Sequence, residues 1–462
     1  MNGSWPEGPV LVVGFARTGR AVAEVLARHG VEVRAIDDAL AGEVAPGLGV
    51  ELHGTLAPAE LERLVRASEL VVTSPGVPPS HPAHLAAAAL GVPLVSEVEL
   101  AWRLASAPIV AVTGTNGKTT VTGLVAAMAQ RSGREAVAAG NIGFPLVEAV
   151  LRPALDLVVA EVSSFQLAGT HGFHPVVAGL LNLDDDHLDW HGDAASYHRA
   201  KARIFANQLP GDVAVGNAED APALTIAAAG AGRLVTFGLG SGDYHLAGER
   251  LVGPDGATIA ERGDLLRDFP HDVANALAAT ALAEAAGIDR LSCRAALGEV
   301  APLPHRVQLV GRRGGIDFYD DSKATTPGAV CAALAGVGSC VLIAGGRNKG
   351  LDLADIARAP AAASVRAVVA IGEAAGEVIA AFGDQVEVVE ACSMREAVAT
   401  AARLAGGSGA GAVLLSPGCA SFDWYTSYGA RGDDFAAAVS ELAGAGAGTA
   451  AGGPAHRGAA GR

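Results

Sequence analysis

Short apolar runs alternate with amphipathic stretches along most of the chain, and this pattern predicts parallel β-sheets. The first run, Val10–Val13, ends at Gly14, a helical pattern follows through Arg28, and a second apolar run covers residues 31–36. A strand, a glycine turn, a helix and a second strand form a βαβ unit, which implies a parallel sheet. Because the same alternation recurs to about residue 435, we expect an α/β protein built from doubly wound sheets.

Two breaks in the pattern, near Pro108 and near residues 301–304, predict three domains. We place the three domains at residues 1–105, 106–302 and 303–442. Strands of the second and third domains are predicted at residues 109–113, 157–162, 176–181, 213–215, 316–319, 341–344, 368–371 and 413–415. From residue 443 the chain is mostly Gly and Ala with little to bury, so we predict that residues 443–462 form a disordered tail.

Composition narrows the class of protein. The 462 residues include 33 Lys plus Arg against 49 Asp plus Glu, which gives a formal net charge of −16 and argues against a nucleic-acid partner. No uncharged apolar stretch reaches the roughly 18 residues that a membrane-spanning helix needs. The five scattered cysteines contain no C-x-x-C pair and indicate reduced thiols instead of a disulfide framework. We therefore expect a cytoplasmic enzyme without a membrane or nucleic-acid partner.

The most informative motif is the glycine-rich segment 114–119, which follows a predicted strand and precedes a helical pattern. Backbone N–H groups at the start of such a helix bind anions. Lys118 would supply a positive charge for β and γ phosphates, and the Thr119 hydroxyl could reach Mg²⁺. Val112 stands where the usual P-loop has its first glycine, so the spacing predicts a variant phosphate loop. The alternative is a structural turn with a solvated lysine.

A second glycine turn, Gly14-x-Ala16-x-x-Gly19, occupies the position of a dinucleotide fingerprint, with Asp37 at the end of the next strand. Ala16 replaces the middle glycine, which normally lets the backbone approach a pyrophosphate. We therefore expect a nucleotide that need not be a dinucleotide. A tight-packing turn without a ligand is the alternative.

Acidic and imidazole side chains also follow predicted strands of the second domain. Residues 182–191 combine carboxylates with His187 and His191, and Glu161 stands at the end of another strand. Oxygen ligands near phosphates suit Mg²⁺, which keeps several waters. The two histidines could instead be a zinc pair, although no third ligand or adjacent glutamate base is evident. Glu161 could also be a helix N-terminal acid, and a solvated acidic loop is the simplest alternative for residues 182–191.

Three loops of the third domain, residues 321–326, 345–350 and 416–421, each follow a predicted strand. They carry Lys, Thr and Ser side chains. Because parallel strands present their carboxyl ends at one edge, these loops should face one crevice. Their donors suit a small substrate with carboxylates.

Eight longer motifs, in order, give the chain a resemblance to the Mur ligase family over about residues 10–435. They are T-G-T-N-G-K-T-T (113–120), G-N-I-G (140–143), E-V-S-S-F-Q-L (161–167), N-L-D-D-D-H-L-D (182–189), Y-H-R-A-K (197–201), L-P-H-R (303–306), D-S-K-A-T (321–325) and S-P-G-C-A-S-F-D (416–423). The resemblance implies a Rossmann-like N-terminal domain for a UDP substrate, a central ATPase domain and a Rossmann-like C-terminal domain for an amino acid. It further implies a monomeric enzyme of peptidoglycan precursor synthesis that uses ATP to form an acyl phosphate.

The resemblance also implies roles for individual residues. ATP would contact Gly114, Thr115, Asn116, Gly117, Lys118, Thr119, Thr120, Asn275, Arg306 and Asp321. The side chains nearest the reacting groups would be Lys118, Asn141, His187, Lys201 and Lys323. Two Mg²⁺ ions would be held by Thr119, Glu161, His187 and Lys201, the last as a carbamylated lysine. The UDP substrate, UDP-N-acetylmuramoyl-L-alanine, would contact Gly14, Thr18, Asp37, Ser74 and Asn141. The amino acid, D-glutamate, would contact Thr325, Lys349, Ser421 and Tyr428.

Features of the sequence bear on several other functions. The family member that adds a diamino acid carries a D-N-P-R motif, which is absent here, and the member that adds L-alanine usually opens with a richer glycine loop. Folylpolyglutamate synthase lacks a UDP-binding first domain. Another amino-acid-adding Mur-type ligase stays an alternative, as does a non-catalytic nucleotide-binding regulator, although Lys118, Glu161, His187 and Lys201 favour catalysis. Ala16 disfavours an NAD-dependent oxidoreductase.

Overall fold

The computed structural model describes residues 5–39, 49–184 and 186–445. The chain divides into two compact units, Met1–Ala301 and Pro302–Arg462. The first unit contains two parallel sheets and a small antiparallel sheet, and the second unit contains one mostly parallel sheet. Within the described ranges, no helix combines the length and the apolar character needed to cross a membrane.

A five-stranded parallel sheet forms the N-terminal part of the first unit. Its elements are β1 Val10–Val13, α1 Arg17–Arg28, β2 Val33–Ile36, β3 Glu51–His53, α2 Pro58–Arg66, β4 Leu70–Thr73, α3 Pro82–Leu90, β5 Leu94–Ser96 and α4 Glu97–Leu104. The strand order is β3-β2-β1-β4-β5, and all four residues of β1 are buried. Because the strand order reverses at β1, the loops that follow β1 and β4 border a crevice at the carboxyl edge.

A six-stranded parallel sheet forms the rest of the first unit, with the order β11-β10-β9-β6-β8-β7. Its strands and helices begin with β6 Ile109–Thr113, α5 Lys118–Arg131, β7 Ala136–Gly140, α6 Leu146–Ala149, β8 Leu157–Glu161, α7 Ser164–Ala168, β9 Val177–Leu180, α8 Leu188–His191 and α9 Ala194–Ala202. They continue with β10 Val213–Asn217, α10 Ala221–Ala228, β11 Arg233–Phe237, β12 His245–Ala247, β13 Arg250–Val252, β14 Thr258–Glu261, α11 Pro270–Ala285 and α12 Arg290–Leu297. Strands β12, β13 and β14 form the antiparallel sheet.

The second unit contains a six-stranded sheet with the order β15-β16-β20-β17-β18-β19. Its elements are β15 Gln308–Arg313, β16 Ile316–Asp320, α13 Pro327–Val337, β17 Cys340–Gly345, α14 Ala354–Arg358, β18 Val365–Ile371, α15 Ala375–Phe382, β19 Glu387–Ala391, α16 Met394–Ser408, β20 Ala412–Gly418 and α17 Tyr428–Ala445. Only β15 runs antiparallel to its neighbour. Helix α17 continues past the predicted start of the tail at residue 443, and residues 446–462 of that prediction lie outside the described residues.

The α/β class and the doubly wound layout predicted from the sequence are confirmed. The strands expected from apolar runs are present, with ends that differ by a few residues. The antiparallel strands β12, β13, β14 and β15 were not predicted. These strands mix polar and apolar residues without a continuous apolar run, so their sequences resemble loops.

Candidate active site

The predicted phosphate loop lies between β6 and α5. Gly114 and Gly117 have φ values of 154° and 84°, which side-chain-bearing residues rarely adopt. A Cβ on Gly117 would lie 2.5 Å from Asn275 Oδ1 on α11, so the loop needs glycine there for space as well as conformation. Lys118 begins α5, and Thr119 and Thr120 follow in its first turn. The structure therefore brings Asn275 beside the loop, and its contact with ATP stays a prediction.

Two lysines converge on one carbonyl of this loop. Lys118 Nζ and Lys201 Nζ each donate a hydrogen bond of 2.8 Å to the Gly114 oxygen, and Lys118 also donates to the Thr115 oxygen at 2.9 Å. Two ammonium groups this close repel each other, so the charge of Lys118 disfavours the charged form of Lys201. The positive charge of Lys118 on this loop suits a polyphosphate.

Lys201 is almost completely buried, with 2% of its surface exposed, and its Nζ lies 4.6 Å from the centroid of the Tyr197 ring. Burial lowers the pKa of Lys201 well below its ordinary value, and the charge of Lys118 lowers that pKa further. Asp186 and Glu161 act in the opposite direction. An amine with a lowered pKa is more often neutral, and a neutral amine is nucleophilic.

The segment after β9 holds the phosphate loop in place. Asn182 Oδ1 accepts from the Asn116 N–H at 2.7 Å, and the Asp184 N–H donates to Thr115 Oγ1 at 3.0 Å. Asn116 Nδ2 also donates to Asp184 Oδ2 at 3.3 Å. Asn182 and Asp184 therefore position the loop, whereas the sequence indicated only that the carboxylates and histidines of residues 182–191 could suit a divalent cation. Asp185 lies outside the described residues.

Glu161, at the end of β8, meets Asn141 from the neighbouring strand end. Asn141 Nδ2 donates to Glu161 Oε1 at 2.7 Å, and the backbone N–H of Asn141 donates to the backbone oxygen of Glu161 at 2.9 Å. The second carboxylate oxygen, Oε2, is buried and has no hydrogen-bond partner among the described residues. A buried carboxylate oxygen without a donor fits a bound cation.

His187 and His191 take different partners. His187 has a φ of 55°, its Nε2 lies 3.3 Å from Asp186 Oδ2, and its ring lies 4.6 Å from that of Phe165. His191 Nε2 lies 2.9 Å from Ser164 Oγ. In the parts of the chain that the structure describes, no three His, Cys, Asp or Glu side chains form a group that could hold a metal. Those residues therefore contain no zinc site made of protein ligands alone, and Mg²⁺ would need phosphate and water oxygens as well.

A cavity of about 550 Å³ opens at the crevice of the N-terminal sheet and is lined by all five residues predicted to contact the UDP substrate. These are Gly14, Thr18, Asp37, Ser74 and Asn141. Ser74 Oγ donates to the Gly14 oxygen at 2.7 Å, and Asp37 Oδ2 accepts from the Phe15 N–H at 2.6 Å. Helix α1 packs closely against this turn, because a Cβ on Gly19 would lie 1.9 Å from the Gly14 oxygen. The side chains of the first glycine turn therefore border a space of nucleotide size.

In the second unit, Asp321 lies at the carboxyl end of β16 and is 3% exposed. It accepts hydrogen bonds from Ser416 Oγ at 2.7 Å and from the Val307 N–H at 3.3 Å. Burial raises the pKa of Asp321 to about 7, and the positive charge of Arg306 opposes that rise. The structure thus brings together Arg306 and Asp321, two of the residues expected to contact ATP.

The three loops predicted to face one crevice are adjacent, because β16, β20 and β17 are neighbours in the sheet. Backbone hydrogen bonds of 2.9 and 3.0 Å between Arg347 and Ala420 join the loops after β17 and β20. Lys323 Nζ lies 5.5 Å from the centroid of the Tyr428 ring. Other predicted contacts lie on the same loops, namely Thr325 and Lys349, which are half-buried, and Ser421, which is buried.

Arg431 on α17 holds two of these loops and was missed by the sequence analysis. It is 1% exposed and donates to the Ser322 oxygen at 2.8 Å and to the Cys419 oxygen at 3.1 Å. Burial lowers the pKa of Arg431 to about 10. A signal was available, since Arg431 stands four residues before the buried Phe435 and so lies on the same helical face.

Three family models match consecutive parts of the chain. They are described as the N-terminal domain of MurD-like Mur ligases, the Mur ligase middle domain, and the glutamate ligase domain of Mur ligases. The matched ranges are residues 8–96, 112–283 and 305–419 respectively. Together they include the phosphate loop and two of the three loops of the second unit.

Curated relatives match almost the whole chain. UDP-N-acetylmuramoylalanine–D-glutamate ligase from Frankia casuarinae is 44% identical over 456 residues, which cover 94% of each protein. The enzyme of the same name from Methylobacillus flagellatus is 41% identical over 94% of this chain and 97% of its own length.

Solved structures share the fold at lower identity. A pseudomurein peptide ligase type C from Methanothermus fervidus has a TM-score of 0.59 at 16% identity and covers 94% of this chain and 100% of its own. UDP-N-acetylmuramate-alanine ligase from Thermotoga maritima has a TM-score of 0.58 at 20% identity and covers 95% and 100%.

Proposed function

The chain belongs to the Mur ligase family, and we propose that it is the member that joins D-glutamate to UDP-N-acetylmuramoyl-L-alanine in peptidoglycan precursor synthesis. The names of the two curated relatives state that activity, and they match 94% of the chain at 44% and 41% identity. The observation that carries the ATP-dependent chemistry of the proposal is the convergence of Lys118 and Lys201 on the Gly114 oxygen, beside the buried Glu161.

The reaction needs ATP because a carboxylate and an amine do not condense in water. A carboxylate oxygen of the substrate attacks the γ-phosphorus of ATP, ADP leaves, and an acyl phosphate forms. The amine of D-glutamate then attacks the carbonyl carbon and loses a proton, and phosphate departs with the former carboxylate oxygen. Phosphoryl transfer depends mainly on alignment and on neutralising charge. Lys118 and the N–H groups of the loop would bind the β and γ phosphates, with Asn275 beside them.

Glu161 fits a divalent cation because its buried Oε2 has no hydrogen-bond donor among the described residues. We propose that Thr119 and Glu161 hold one Mg²⁺, and that His187 and a carbamylated Lys201 hold a second. The cations would supply further positive charge to the phosphates. The lowered pKa of Lys201 supports carbamylation, since the neutral amine is the form that adds CO₂.

The UDP group would occupy the 550 Å³ cavity beside α1. Asn141 lines that cavity and also donates to Glu161, so it would lie between the UDP substrate and the phosphates. In the second unit, Arg306 and Asp321 would contact ATP, and Lys323 would lie near the reacting groups.

The amino-acid site would be formed by the loops of the second unit, with Thr325, Lys349, Ser421 and Tyr428 on the two carboxylates of D-glutamate. The lysine supplies a positive charge, and the two hydroxyls supply hydrogen-bond donors. We further propose that the enzyme acts as a monomer, with the domains predicted from the sequence.

Phosphate release from ATP tests the proposal. The chain is mixed with Mg²⁺, ATP and UDP-N-acetylmuramoyl-L-alanine, and D-glutamate is compared with L-glutamate, L-alanine, L-lysine and meso-diaminopimelate. We expect release with D-glutamate alone. Release with another amino acid would keep the ATPase centre but overturn the amino-acid assignment. No release with any acceptor would favour a regulator that binds nucleotide without catalysis.

A further inference from the structure

Arg17, the first residue of α1, lies in the substrate cavity and has no role in the account above. Its side chain lines the cavity together with Thr18 and Asn141, and the residue is exposed. Its guanidinium donates a hydrogen bond to the backbone oxygen of Gly143. Gly143 belongs to the same loop as Asn141, so Arg17 joins the first glycine turn to the loop that approaches Glu161.

The charges around the cavity leave Arg17 available to an anion. Asp37 accepts hydrogen bonds from the N–H groups of Phe15 and Ala39, and Asp38 accepts from the Thr55 hydroxyl at 3.1 Å. No carboxylate forms an ion pair with Arg17 anywhere in the described ranges. A guanidinium has five N–H donors in a planar fork, so one hydrogen bond to Gly143 leaves others for a ligand.

The N-terminus of α1 adds a second positive electrostatic contribution beside the Arg17 guanidinium. Ala16 occupies the N-cap position and provides no side-chain hydrogen bond to the first turn. N–H groups in the first turn of a helix have no partner within the helix, and they favour a negatively charged group. Arg17 thus stands where the helix terminus already attracts an anion.

We propose that Arg17 binds the diphosphate of the UDP substrate, while its hydrogen bond to Gly143 keeps the Asn141 loop against the bound substrate. The proposal rests on the function assigned above, because only a UDP substrate brings a diphosphate to this cavity. A planar bidentate contact with phosphate is typical of arginine, and lysine does not reproduce it.

The test measures binding of UDP and of uridine separately, without any turnover. Arg17→Met keeps much of the length of the side chain but removes the charge. We expect it to weaken UDP binding by about tenfold or more, the usual effect of losing a charged hydrogen bond. We expect uridine binding, followed by ligand-observed NMR at millimolar concentration, to stay the same, and Arg17→Lys to give an intermediate UDP affinity. Arg28→Met, at the exposed end of the same helix, is the matched control.

Each result has a distinct meaning. Equal UDP affinity in the Arg17→Met variant and the unmodified chain would overturn the role of Arg17. Parallel losses for UDP and uridine would also overturn it, because they indicate a distorted cavity. Failure of the unmodified chain to bind UDP would instead contradict the proposed function. In turnover assays, we expect Arg17→Met to raise KM for the UDP substrate and to lower kcat, while KM for ATP stays constant. An unchanged kcat would refute the proposed role of Arg17 in holding the Asn141 loop.

Discussion

Replacing Glu97 with glutamine should remove the contribution of this buried carboxyl to the pH dependence of stability between about pH 4.5 and pH 7. Glu97 begins α4, is 1% exposed, and accepts the Val147 N–H of α6 at 2.7 Å. Helix α6 follows Pro145, which offers no side-chain cap, so Glu97 serves as its cap from another helix. Its second oxygen has no hydrogen-bond partner among the described residues. Burial raises the pKa of Glu97 from 4.5 to about 7, although the N–H groups of Val147 and Leu146 lower it in part.

The sign of the effect follows from proton binding. The folded chain holds the Glu97 proton more tightly than the unfolded chain does, so the contribution of Glu97 to stability is complete below pH 4.5 and is lost as the pH rises toward 7. A pKa difference between 4.5 and about 7 corresponds to about 3 kcal/mol at most. Glutamine does not ionise. Its amide group does add an unsatisfied donor near the position of Oε2, but that cost is the same at every pH.

The assay is urea unfolding of the unmodified chain and of Glu97→Gln at several pH values from about 5 to 8, where linkage predicts the change. The free energy of unfolding of the variant should increase relative to that of the unmodified chain as the pH rises, and the difference should level off above pH 7. Glu62→Gln, which removes an exposed carboxyl from α2, is the matched control. If the curves of Glu97→Gln and the unmodified chain stay parallel over this range, the reasoning about Glu97 is wrong.

Three further substitutions test separate parts of the site. Lys118→Ala should lower the rate of phosphate release by about a hundredfold or more, because Lys118 binds phosphate. The circular dichroism spectrum and the unfolding temperature should stay close to those of the unmodified chain, because the residue contributes little to the core. Normal turnover or an unfolded variant would contradict this prediction. Lys349→Ala should raise KM for D-glutamate, since the loss of a buried charged hydrogen bond costs about 2–5 kcal/mol, and an unchanged KM would move the amino-acid site elsewhere. Gly19→Ala places a Cβ 1.9 Å from the Gly14 oxygen and should therefore displace α1 and weaken UDP binding without changing ATP binding; UDP affinity equal to that of the unmodified chain would count against the fit of α1.

Much of the fold could be predicted because its signals are local. Buried parallel strands have apolar runs such as Val10–Val13, and those runs end at glycines whose backbone has a positive φ. The phosphate loop was recognisable from Gly114, Gly117 and Lys118 together, since each residue type meets a separate requirement of conformation or charge. The grouping of Gly14, Asp37 and Ser74 around one cavity also follows from sheet topology, because β1 lies between β2 and β4.

The contacts that hold the site together could not be predicted, because they join segments far apart in the sequence. Arg17 contacts Gly143, Glu97 contacts Val147, and Arg431 contacts Ser322 and Cys419. The charges of Arg17, Glu97 and Arg431 do not by themselves distinguish these side chains from solvated charged side chains on the surface. The burial of Lys201 could not be predicted from the sequence either, since an isolated lysine in a helix is normally exposed.

The same limit applies to the segment after β9. The sequence indicated that its carboxylates and histidines could suit a divalent cation, yet Asn182 and Asp184 bind Asn116 and Thr115 of the phosphate loop. Side-chain type shows what a residue can bind, and only the tertiary arrangement shows which partner it has.

The most direct test of the central claim follows oxygen from the substrate carboxylate. UDP-N-acetylmuramoyl-L-alanine labelled with oxygen-18 in its carboxylate is incubated with the chain, Mg²⁺, ATP and D-glutamate, and the released phosphate is analysed by mass spectrometry. Transfer through an acyl phosphate predicts one labelled oxygen in each phosphate, and it predicts that labelled phosphate accumulates only when D-glutamate is present. Unlabelled phosphate, or labelled phosphate formed equally well without D-glutamate, would contradict the account.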